Sequence, residues 1–247
     1  MIIIPQIFNG FPEMAAGQST RLGGKSEAPY YSLNLGKSVG DNIETVLENR
    51  KTFFGELDFE LNQVVFSHQV HGSEILKVEK SGDYSGFDAQ ITNIPAICLA
   101  VSIADCTPIL IYDSQNKAIG AVHAGWRGTV ANILLKTMDA MATEYGTKGE
   151  NCYAYIGACI SKTNFEVGNE VAENFNSQFK IFDPSKNKFF VDLKAANKAQ
   201  LVEFGIPQSQ IEVAEYCTVA NNELFFSHRK EKGITGRMLA AIGLKKP

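Results

Sequence analysis

A short apolar run that ends in a histidine and a glycine-flanked turn constrains the fold of this chain more than any other feature. Residues 118–122 are small or β-branched, which is typical of a buried strand. His123 follows them directly, and Gly125 and Gly128 mark a tight break. Beyond the break, apolar residues recur at helical spacing as far as Gly146. We therefore expect a strand, a turn that carries His123, and a helix.

A second predicted strand end carries a cysteine. The apolar residues 96–101 indicate a strand that ends shortly before Cys106. Pro108 breaks a regular ladder, so Cys106 is predicted to sit in a constrained turn between strands. Strands over 109–112 and 118–122 are then predicted to form a hairpin.

Two histidines, His68 and His71, follow a third predicted strand over residues 63–67. Side chains of an extended segment alternate between its two faces, so we expect only one of these histidines to join a shared site. We favour His71, because Gly72 lets the backbone approach closely there.

The rest of the chain supplies a scaffold. We predict an opening strand, a long glycine- and serine-rich loop, a helix capped by Asp41, and two helices in the second half. The ranges are 1–5 for the strand, 17–36 for the loop, and 167–179 and 193–204 for the two later helices. With no internal repeat and no obvious linker, 247 residues form either one large domain or two closely joined halves.

Charge and composition exclude several classes of protein. A formal net charge of -4 gives no general electrostatic reason to bind nucleic acid or an anionic membrane. The apolar start of the chain is far too short for a signal peptide or a membrane span. Five cysteines, an odd number without close spacing, indicate reduced thiols. We expect a cytoplasmic protein that binds neither nucleic acid nor membrane.

One cysteine and two histidines from three strand ends suggest two kinds of chemistry. His71, Cys106 and His123 form a ligand set suited to zinc, with the fourth tetrahedral position open to water or substrate. Structural zinc sites usually have four ligands, often in Cys-x-x-Cys pairs, and the sequence contains no such pair. An open site indicates catalysis. The alternative is a nucleophile and its base, Cys106 and His123.

Basic residues in three places are candidate anion contacts. In the loop over 17–36, Gly23 and Gly24 would let backbone amides approach an anion beside Arg21; the alternative is a flexible surface loop. Arg127 lies next to a predicted helix N-terminus. The C-terminal tail is either an anion clamp or a solvated basic face. The tail residues concerned are His228, Arg229 and Arg237.

Five motifs occur in order over nearly the whole chain. They are His-Gln-Val-His-Gly at 68–72, Ala-Asp-Cys-Thr-Pro-Ile-Leu at 104–110, His-Ala-Gly-Trp-Arg-Gly at 123–128, Glu-Val-Gly at 166–168 and Thr-Gly-Arg at 235–237. Together they resemble the YfiH family, also labelled polyphenol oxidase or laccase-domain proteins and described as purine nucleoside phosphorylases. The resemblance implies a single α/β domain over residues 1–247, with two packed mixed β-sheets flanked by helices. It also implies a monomer that binds zinc through His71, Cys106 and His123.

The same resemblance implies an activity and a set of substrate contacts. The reaction is phosphorolysis of adenosine, inosine, guanosine and methylthioadenosine, with adenosine deamination as a second activity. The expected phosphate or ribose contacts are Arg21, Arg127, Arg229 and Arg237, and further substrate contacts are Asn34, Gln69, Asp88 and His228. Asp88, Asp105 or His228 would move protons, and the sequence does not choose among them.

Residue counts exclude laccase chemistry of the multicopper type. A multicopper centre needs many more histidines than the four in this chain. A single copper ion can still occupy the zinc site, because nitrogen and sulfur ligands bind copper more tightly than zinc. Two rival functions stay open. One is an amidohydrolase that uses Cys106 and His123, consistent with the family's link to editing of peptidoglycan precursors. The other is a non-catalytic zinc-binding protein.

Overall fold

The computed structural model describes residues 2–246 as two large β-sheets, a small third sheet and five α-helices. Met1, which begins the predicted opening strand, and Pro247 lie outside the described residues. The strands are β1 (Ile2–Ile3), β2 (Met14–Ser19), β3 (Val64–His68), β4 (Ile75–Lys77), β5 (Gly82–Ser85), β6 (Ala89–Thr92), β7 (Cys98–Ile103), β8 (Thr107–Asp113), β9 (Ala118–Ala124), β10 (Cys152–Ile156), β11 (Glu166–Val167), β12 (Lys180–Asp183), β13 (Lys188–Val191), β14 (Ile211–Val213) and β15 (Met238–Leu244). The helices are α1 (Ile43–Gly55), α2 (Trp126–Val130), α3 (Ile133–Tyr145), α4 (Asn169–Ala172) and α5 (Leu193–Phe204).

The two large sheets pack face to face, with helices outside. Sheet 1 has the strand order β1-β2-β15-β7-β3-β5, and sheet 2 has the order β14-β10-β8-β9-β6-β4. Alternate residues of β8 enter different cores. Leu110 and Tyr112 pack between the sheets, whereas Ile109 and Ile111 pack against α3 and α5. Phe53 of α1 packs on the outer face of sheet 1. The expected α/β fold of two packed mixed sheets flanked by helices is confirmed.

The topology takes the chain from sheet 1 to sheet 2 three times at the same edge. Strands β3, β5 and β7 run parallel, and each is followed by a crossing to β4, β6 or β8. Strand β9 runs antiparallel to β6 and β8, so it ends where they begin. The three crossings contain His71, Asp88 and Cys106, and His123 lies near the end of β9. The fold therefore gathers side chains from four separate segments at one edge.

Several predicted elements are confirmed, although strands β8 and β9 are longer than predicted. The hairpin forms as β8 and β9, with Ile111 opposite Gly120. Helix α3 ends at Gly146, whose φ of 72° is the left-handed conformation that glycine tolerates. The Asp192 side chain accepts the Ala195 N–H to cap α5. No helix formed by residues 2–246 is long and apolar enough to cross a membrane.

The predicted helix over 167–179 is wrong. The segment instead contains the last residue of β11, the four-residue helix α4 and a short 3-10 helix. Asn176 caps this 3-10 helix, because its side chain accepts the Gln178 N–H. The apolar residues at four-residue intervals that suggested a helix are real core residues. Val167 and Phe175 pack in a local core under the third sheet, whose order is β11-β13-β12. Burial in this small core overrides the helical spacing.

The predicted loop over 17–36 and the cap of the first helix also differ. Strand β2 continues to Ser19, whose buried hydroxyl accepts a backbone N–H from β15, so the loop begins later than predicted. The cap of α1 is Asn42, which accepts the Thr45 N–H, rather than Asp41. Asp41 lies one residue before this cap.

The prediction that Pro108 breaks the ladder is wrong. Pro108 is the second residue of β8. It lies opposite His123, and its carbonyl accepts the Gly157 N–H, so the ladder loses only one donor. Cys106 still lies in a bend immediately before the strand. The sequence analysis also missed β15, which lies between β2 and β7 in sheet 1.

Candidate functional site

The crossing segments bring one cysteine and two histidines into a single cluster. The ligand atoms of His71, Cys106 and His123 all lie within 4.8 Å of one another. The two imidazole rings meet edge to face, with centroids 4.9 Å apart. His123 is buried, Cys106 is half-buried and His71 is exposed, so the cluster opens to solvent on the His71 side. The three residues that the sequence assigns to one site are thus neighbours.

Asp88 orients one histidine and holds the loop that carries the other. Its Oδ1 lies 2.7 Å from Nδ1 of His123, which leaves Nε2 of that ring to face the cluster. The same carboxylate accepts the backbone N–H groups of Val70, His71 and Gly72 at 3.0, 3.0 and 2.8 Å. These bonds hold His71 at a φ of 58°, which residues other than glycine rarely adopt.

This position of Asp88 favours an orienting role over the predicted role as a substrate contact. The carboxylate is buried and does not line the cavity described below. His68 also stays outside the cluster. It is the last residue of β3, whereas His71 lies in the turn beyond it. The Asp88 bonds to that turn are the physical reason that His71 reaches the cluster.

Charges within the cluster are strongly coupled. Burial alone would raise the pKa of Cys106, but the charge of His123 and hydrogen bonds from both histidines lower it to about 6. Burial opposes protonation of His123, yet Cys106 and Asp88 raise the pKa of its ring to about 9. Burial likewise opposes ionisation of Asp88, and hydrogen bonds from His123 and Gly72 outweigh it and lower the pKa of that carboxyl. The geometry therefore favours a thiolate, the form of cysteine that binds metals.

The donor set fits zinc. Two imidazole nitrogens and one thiolate are common zinc ligands, and tetrahedral coordination places such atoms about 3.5 Å apart. A carboxylate bonded to the far nitrogen of a histidine, as Asp88 is to His123, is a frequent partner of ligating histidines. Within residues 2–246 no fourth cysteine, histidine or carboxylate joins the group, which leaves one position for a substrate or water.

Gly125 lets the backbone after β9 pass close to two of these ligands. A Cβ atom at this position would lie 3.1 Å from Sγ of Cys106 and 3.3 Å from Cδ2 of His71. Both distances are tighter than ordinary van der Waals contact. The glycine in this turn is therefore explained by the space that the cluster needs.

The cluster forms part of the wall of a cavity of about 650 Å³, which is within the size range of small-molecule sites. Four cationic and two acidic side chains line it, so the cavity is positively charged although the chain is acidic. The cations are Lys37, Arg50, Arg229 and Arg237, and the acids are Asp83 and Asp105. Apolar lining comes from Trp126, Ile160, Phe165 and Leu193.

Four of the predicted substrate contacts line this cavity. They are Gln69, His228, Arg229 and Arg237. The Gln69 amide is also tied to Ser102 of β7, because its Nε2 donates to the Ser102 carbonyl and its Oε1 accepts the Ser102 N–H. Burial lowers the pKa of Arg237, while the charges of Cys106 and Asp105 act in the opposite direction. Arg237 therefore lies within electrostatic reach of the cluster.

Asp105 lines the cavity, but its carboxylate is already bonded. Its Oδ1 accepts the Thr218 hydroxyl at 2.6 Å, and its Oδ2 accepts the Arg229 backbone N–H at 2.7 Å. Asp105 also adopts a φ of 89°. The geometry favours a role in positioning Arg229 over the catalytic role that the sequence analysis predicted.

Arg21 is not among the residues that line the cavity. It forms an ion pair with Glu231 at 3.0 Å and lies over the Phe226 ring. The predicted anion site beside it is also occupied by internal bonds, since the Gly24 N–H donates to Ser32 Oγ. Arg21 therefore fastens the loop to the C-terminal tail.

Asn34 and Arg127 are likewise not among the lining residues. Asn34 is buried, and its Oδ1 accepts the backbone N–H groups of Gly36 and Arg237. Arg127 is exposed and lies over the ring of Trp126, 4.4 Å from its centroid. Asn34 therefore acts through the backbone of Arg237, and Arg127 has no direct access to the cavity.

The sequence analysis missed two of the cations, Lys37 and Arg50. Arg50 lies in α1, which the sequence presents only as scaffold. Its presence in the cavity depends on how α1 packs on sheet 1, and no local pattern signals that packing. Lys37 follows the loop that Asn34 holds, and nothing in its neighbours marks it as a ligand contact.

Comparisons with known proteins agree over the whole fold. Residues 15–245 match the family model described as multi-copper polyphenol oxidoreductase laccase. A purine nucleoside phosphorylase of Bacteroides thetaiotaomicron is 37% identical over 244 residues, which is 92% of this chain and 90% of the relative. The purine nucleoside phosphorylase YfiH of Escherichia coli is 37% identical, with 98% of each chain covered.

Solved structures show the same relationship. The hypothetical protein YfiH of Bacillus licheniformis superposes with a TM-score of 0.93 at 32% identity, over 99% of this chain and 96% of that one. YlmD of Geobacillus stearothermophilus gives a TM-score of 0.91 at 34% identity, over 96% and 94%. The chain therefore belongs to the multi-copper polyphenol oxidoreductase laccase family, the family of the YfiH and YlmD proteins.

Proposed function

We propose that this chain is a zinc-dependent purine nucleoside phosphorylase that acts on adenosine, inosine, guanosine and methylthioadenosine, with adenosine deamination as a second activity. The observation that carries the proposal is a cluster of three potential metal ligands in the wall of a cation-lined cavity of an acidic chain. Relatives that match nearly the full length bear the name purine nucleoside phosphorylase. The proposed enzyme is a monomer, and its cytoplasmic location is consistent with five free cysteines.

The apolar and cationic parts of the cavity suit the two substrates. A purine base can pack between aromatic side chains, and Trp126 and Phe165 are aromatic lining residues. Arg229 and Arg237 can bind phosphate or the ribose hydroxyls through hydrogen bonds. A bound zinc ion would supply Lewis acidity at the open position of the cluster.

Phosphorolysis requires one bond exchange and one proton transfer. A phosphate oxygen forms a bond to C1′ of the ribose as the C1′–N9 bond breaks, and the departing purine takes up a proton. Of the three candidates for this transfer, Asp88 does not line the cavity and Asp105 is held as an acceptor by Thr218 and Arg229, so we assign the proton transfer to His228.

Product analysis tests this function. Adenosine and inosine are each incubated with and without phosphate, and the products are separated by chromatography. We expect free base and ribose 1-phosphate only when phosphate is present, and none from the Cys106→Ala variant. Absence of turnover by fully metallated wild-type protein would refute the proposal.

Matched variants test the ligand assignment. His71→Ala, Cys106→Ala and His123→Ala should each lose zinc, measured by elemental analysis, and lose activity. His68→Ala is the control, since His68 lines the same cavity outside the cluster, and it should keep its zinc. Full zinc occupancy of His71→Ala together with loss from His68→Ala would show that the wrong histidine is assigned.

A second function is favoured by one observation, the chain of contacts from Cys106 through His123 to Asp88. A thiol, an imidazole and an orienting carboxylate form the arrangement of a nucleophilic hydrolase. Such an amidohydrolase would survive chelating agents and be inactivated by thiol alkylation. A metal-dependent phosphorylase would lose activity on chelation and regain it when zinc is added back.

A further inference from the structure

Two cations line the cavity outside the cluster of His71, Cys106 and His123, and both lie over the same aromatic ring. The guanidinium carbon of Arg50 lies 4.1 Å from the centroid of Phe66, and Nζ of Lys37 lies 5.6 Å from it. All three residues line the cavity that contains Cys106. This second group of cations therefore faces the same cavity as the cluster does.

Arg50 is buried without a counter-ion. It is 6% exposed, and its Nε donates to the Leu35 carbonyl at 2.8 Å. Within residues 2–246 its Nη1 has no hydrogen-bond partner, and the guanidinium forms no ion pair. Burial lowers the pKa of Arg50 to about 10, with the charge of Asp83 opposing that shift, so the group is charged at neutral pH. A buried charge with free donors is costly unless an anion binds to it.

The neighbouring acid does not supply that anion. Asp83 lies on the exposed strand β5, and its carboxylate pairs with Nζ of Lys37 at 3.4 Å. Two cations against one carboxylate leave a net positive charge at this end of the cavity. A doubly charged oxyanion would match the planar donors of Arg50 and the point charge of Lys37.

The backbone connects this group to the cluster. Gly36 precedes Lys37 and packs on Arg237, since a Cβ atom at Gly36 would lie 2.7 Å from Cγ of Arg237. Arg237 in turn lies within electrostatic reach of Cys106. A row of cations thus leads from the cluster to Arg50.

We propose that Lys37, Arg50 and Phe66 form a phosphoryl-binding subsite of the cavity. Its occupant is either free phosphate, which rests on the phosphorolysis proposed above, or the 5′-phosphate of a nucleotide substrate. The shared chemistry is a phosphoryl dianion held by one guanidinium and one ammonium group.

Direct binding of two probes tests the subsite. The affinities of inorganic phosphate and of adenosine 5′-monophosphate are measured by calorimetry for the purified wild-type protein and variants. Lys37→Ala should weaken binding about tenfold, the scale of one charge-assisted hydrogen bond. Asp83→Asn should tighten it about twofold to fivefold, because a competing exposed ion pair is removed. Lys25→Ala is the matched control, since Lys25 is an exposed lysine paired with Glu48 away from the cavity, and it should change nothing.

The two probes also separate the sources of the phosphoryl group. Weaker binding of inorganic phosphate by Lys37→Ala identifies free phosphate, whereas weaker binding of the nucleotide alone, with adenosine unchanged, identifies the 5′-phosphate. Equal affinities of Lys37→Ala and Lys25→Ala for both probes would overturn the subsite.

A second variant protects the test against misfolding. Arg50→Lys keeps the charge but removes the planar donors, and its thermal unfolding reports whether α1 still packs. A folded Arg50→Lys protein should bind the same probe more weakly, and wild-type affinity would count against the subsite. Because binding is measured without turnover, failure of phosphorolysis with intact, Lys37-dependent binding would refute the proposed function and leave the subsite standing.

Discussion

Replacing Asp88 by asparagine should reduce both zinc affinity and stability, by amounts that follow from its four contacts. Oδ1 forms hydrogen bonds with Nδ1 of His123 and with the His71 N–H, and Oδ2 accepts the Val70 and Gly72 N–H groups. Asparagine has one acceptor oxygen, so its NH2 group must face one of these pairs, and two bonds are lost in either orientation. We expect a loss of about 3 kcal/mol in the free energy of unfolding, which corresponds to a fall of roughly 6–12 °C in Tm for a chain of this size.

Zinc affinity should fall about 10- to 100-fold in the same variant, because the carboxylate fixes the ring of one ligand and the loop of another. The assay is competition for zinc with a coloured chelator at neutral pH, together with thermal unfolding of the metal-free protein. Asp113→Asn is the matched control. Asp113 is also a buried acid that accepts backbone N–H groups, but it lies at the opposite end of β8, about 20 Å from Thr107. Wild-type zinc affinity in a destabilised Asp88→Asn protein would refute the orienting role.

Three further outcomes are expected. Gly125→Ala should lose zinc while it stays folded, because its methyl group would press on Sγ of Cys106. Gly10→Ala, with open space around it, is the control and should bind zinc normally. Equal zinc contents of the two variants would contradict this prediction. In metal-free protein at pH 7, iodoacetamide should modify Cys106 before the other cysteines, since the pKa of Cys106 is lowered to about 6. Added zinc should protect Cys106. Equal rates of alkylation with and without zinc would count against Cys106 as a zinc ligand. Hydrogen bonds from Lys117 and Tyr112 lower the pKa of Glu13 to about 2. Glu13→Gln should therefore lower the free energy of unfolding by less than about 1 kcal/mol near pH 6, and this loss should vanish as the pH falls from 4.5 toward 2. A loss of stability that is independent of pH would argue against the ion pair of Glu13 with Lys117.

The sequence predicts which residues form the cluster better than it predicts which residues line the cavity, and the reason is topological. His71 and Cys106 follow strands with a clear apolar pattern, and His123 is near the end of another, so their positions at strand ends can be inferred locally. Arg50 and Arg21 lie in segments without such a marker. Only the packing of α1 and of the C-terminal tail decides that Arg50 lines the cavity and that Arg21 pairs with Glu231.

The core elements show the same contrast. The helix Leu193–Phe204 has both a periodic apolar pattern and end signals, and it is found at the predicted residues. The segment over 167–179 has helical spacing but contains Gly168 and Asn176, and its apolar residues are buried by a separate small sheet instead. A pattern of apolar spacing identifies which residues are buried, and capping and turn residues are needed to identify the element.

The order in which the site is assembled follows from where its parts lie. Asp88 bonds to the backbone of the loop over 70–72 and to His123 through groups that a metal does not use. The loop and the buried ring are therefore positioned by the fold itself, and a metal has to draw in only the exposed imidazole of His71 and the thiol of Cys106. A site prepared in this way would lose little conformational entropy on binding a metal. The cations of the cavity are placed by other elements, so one edge of the fold can combine a candidate metal site with the proposed phosphoryl subsite.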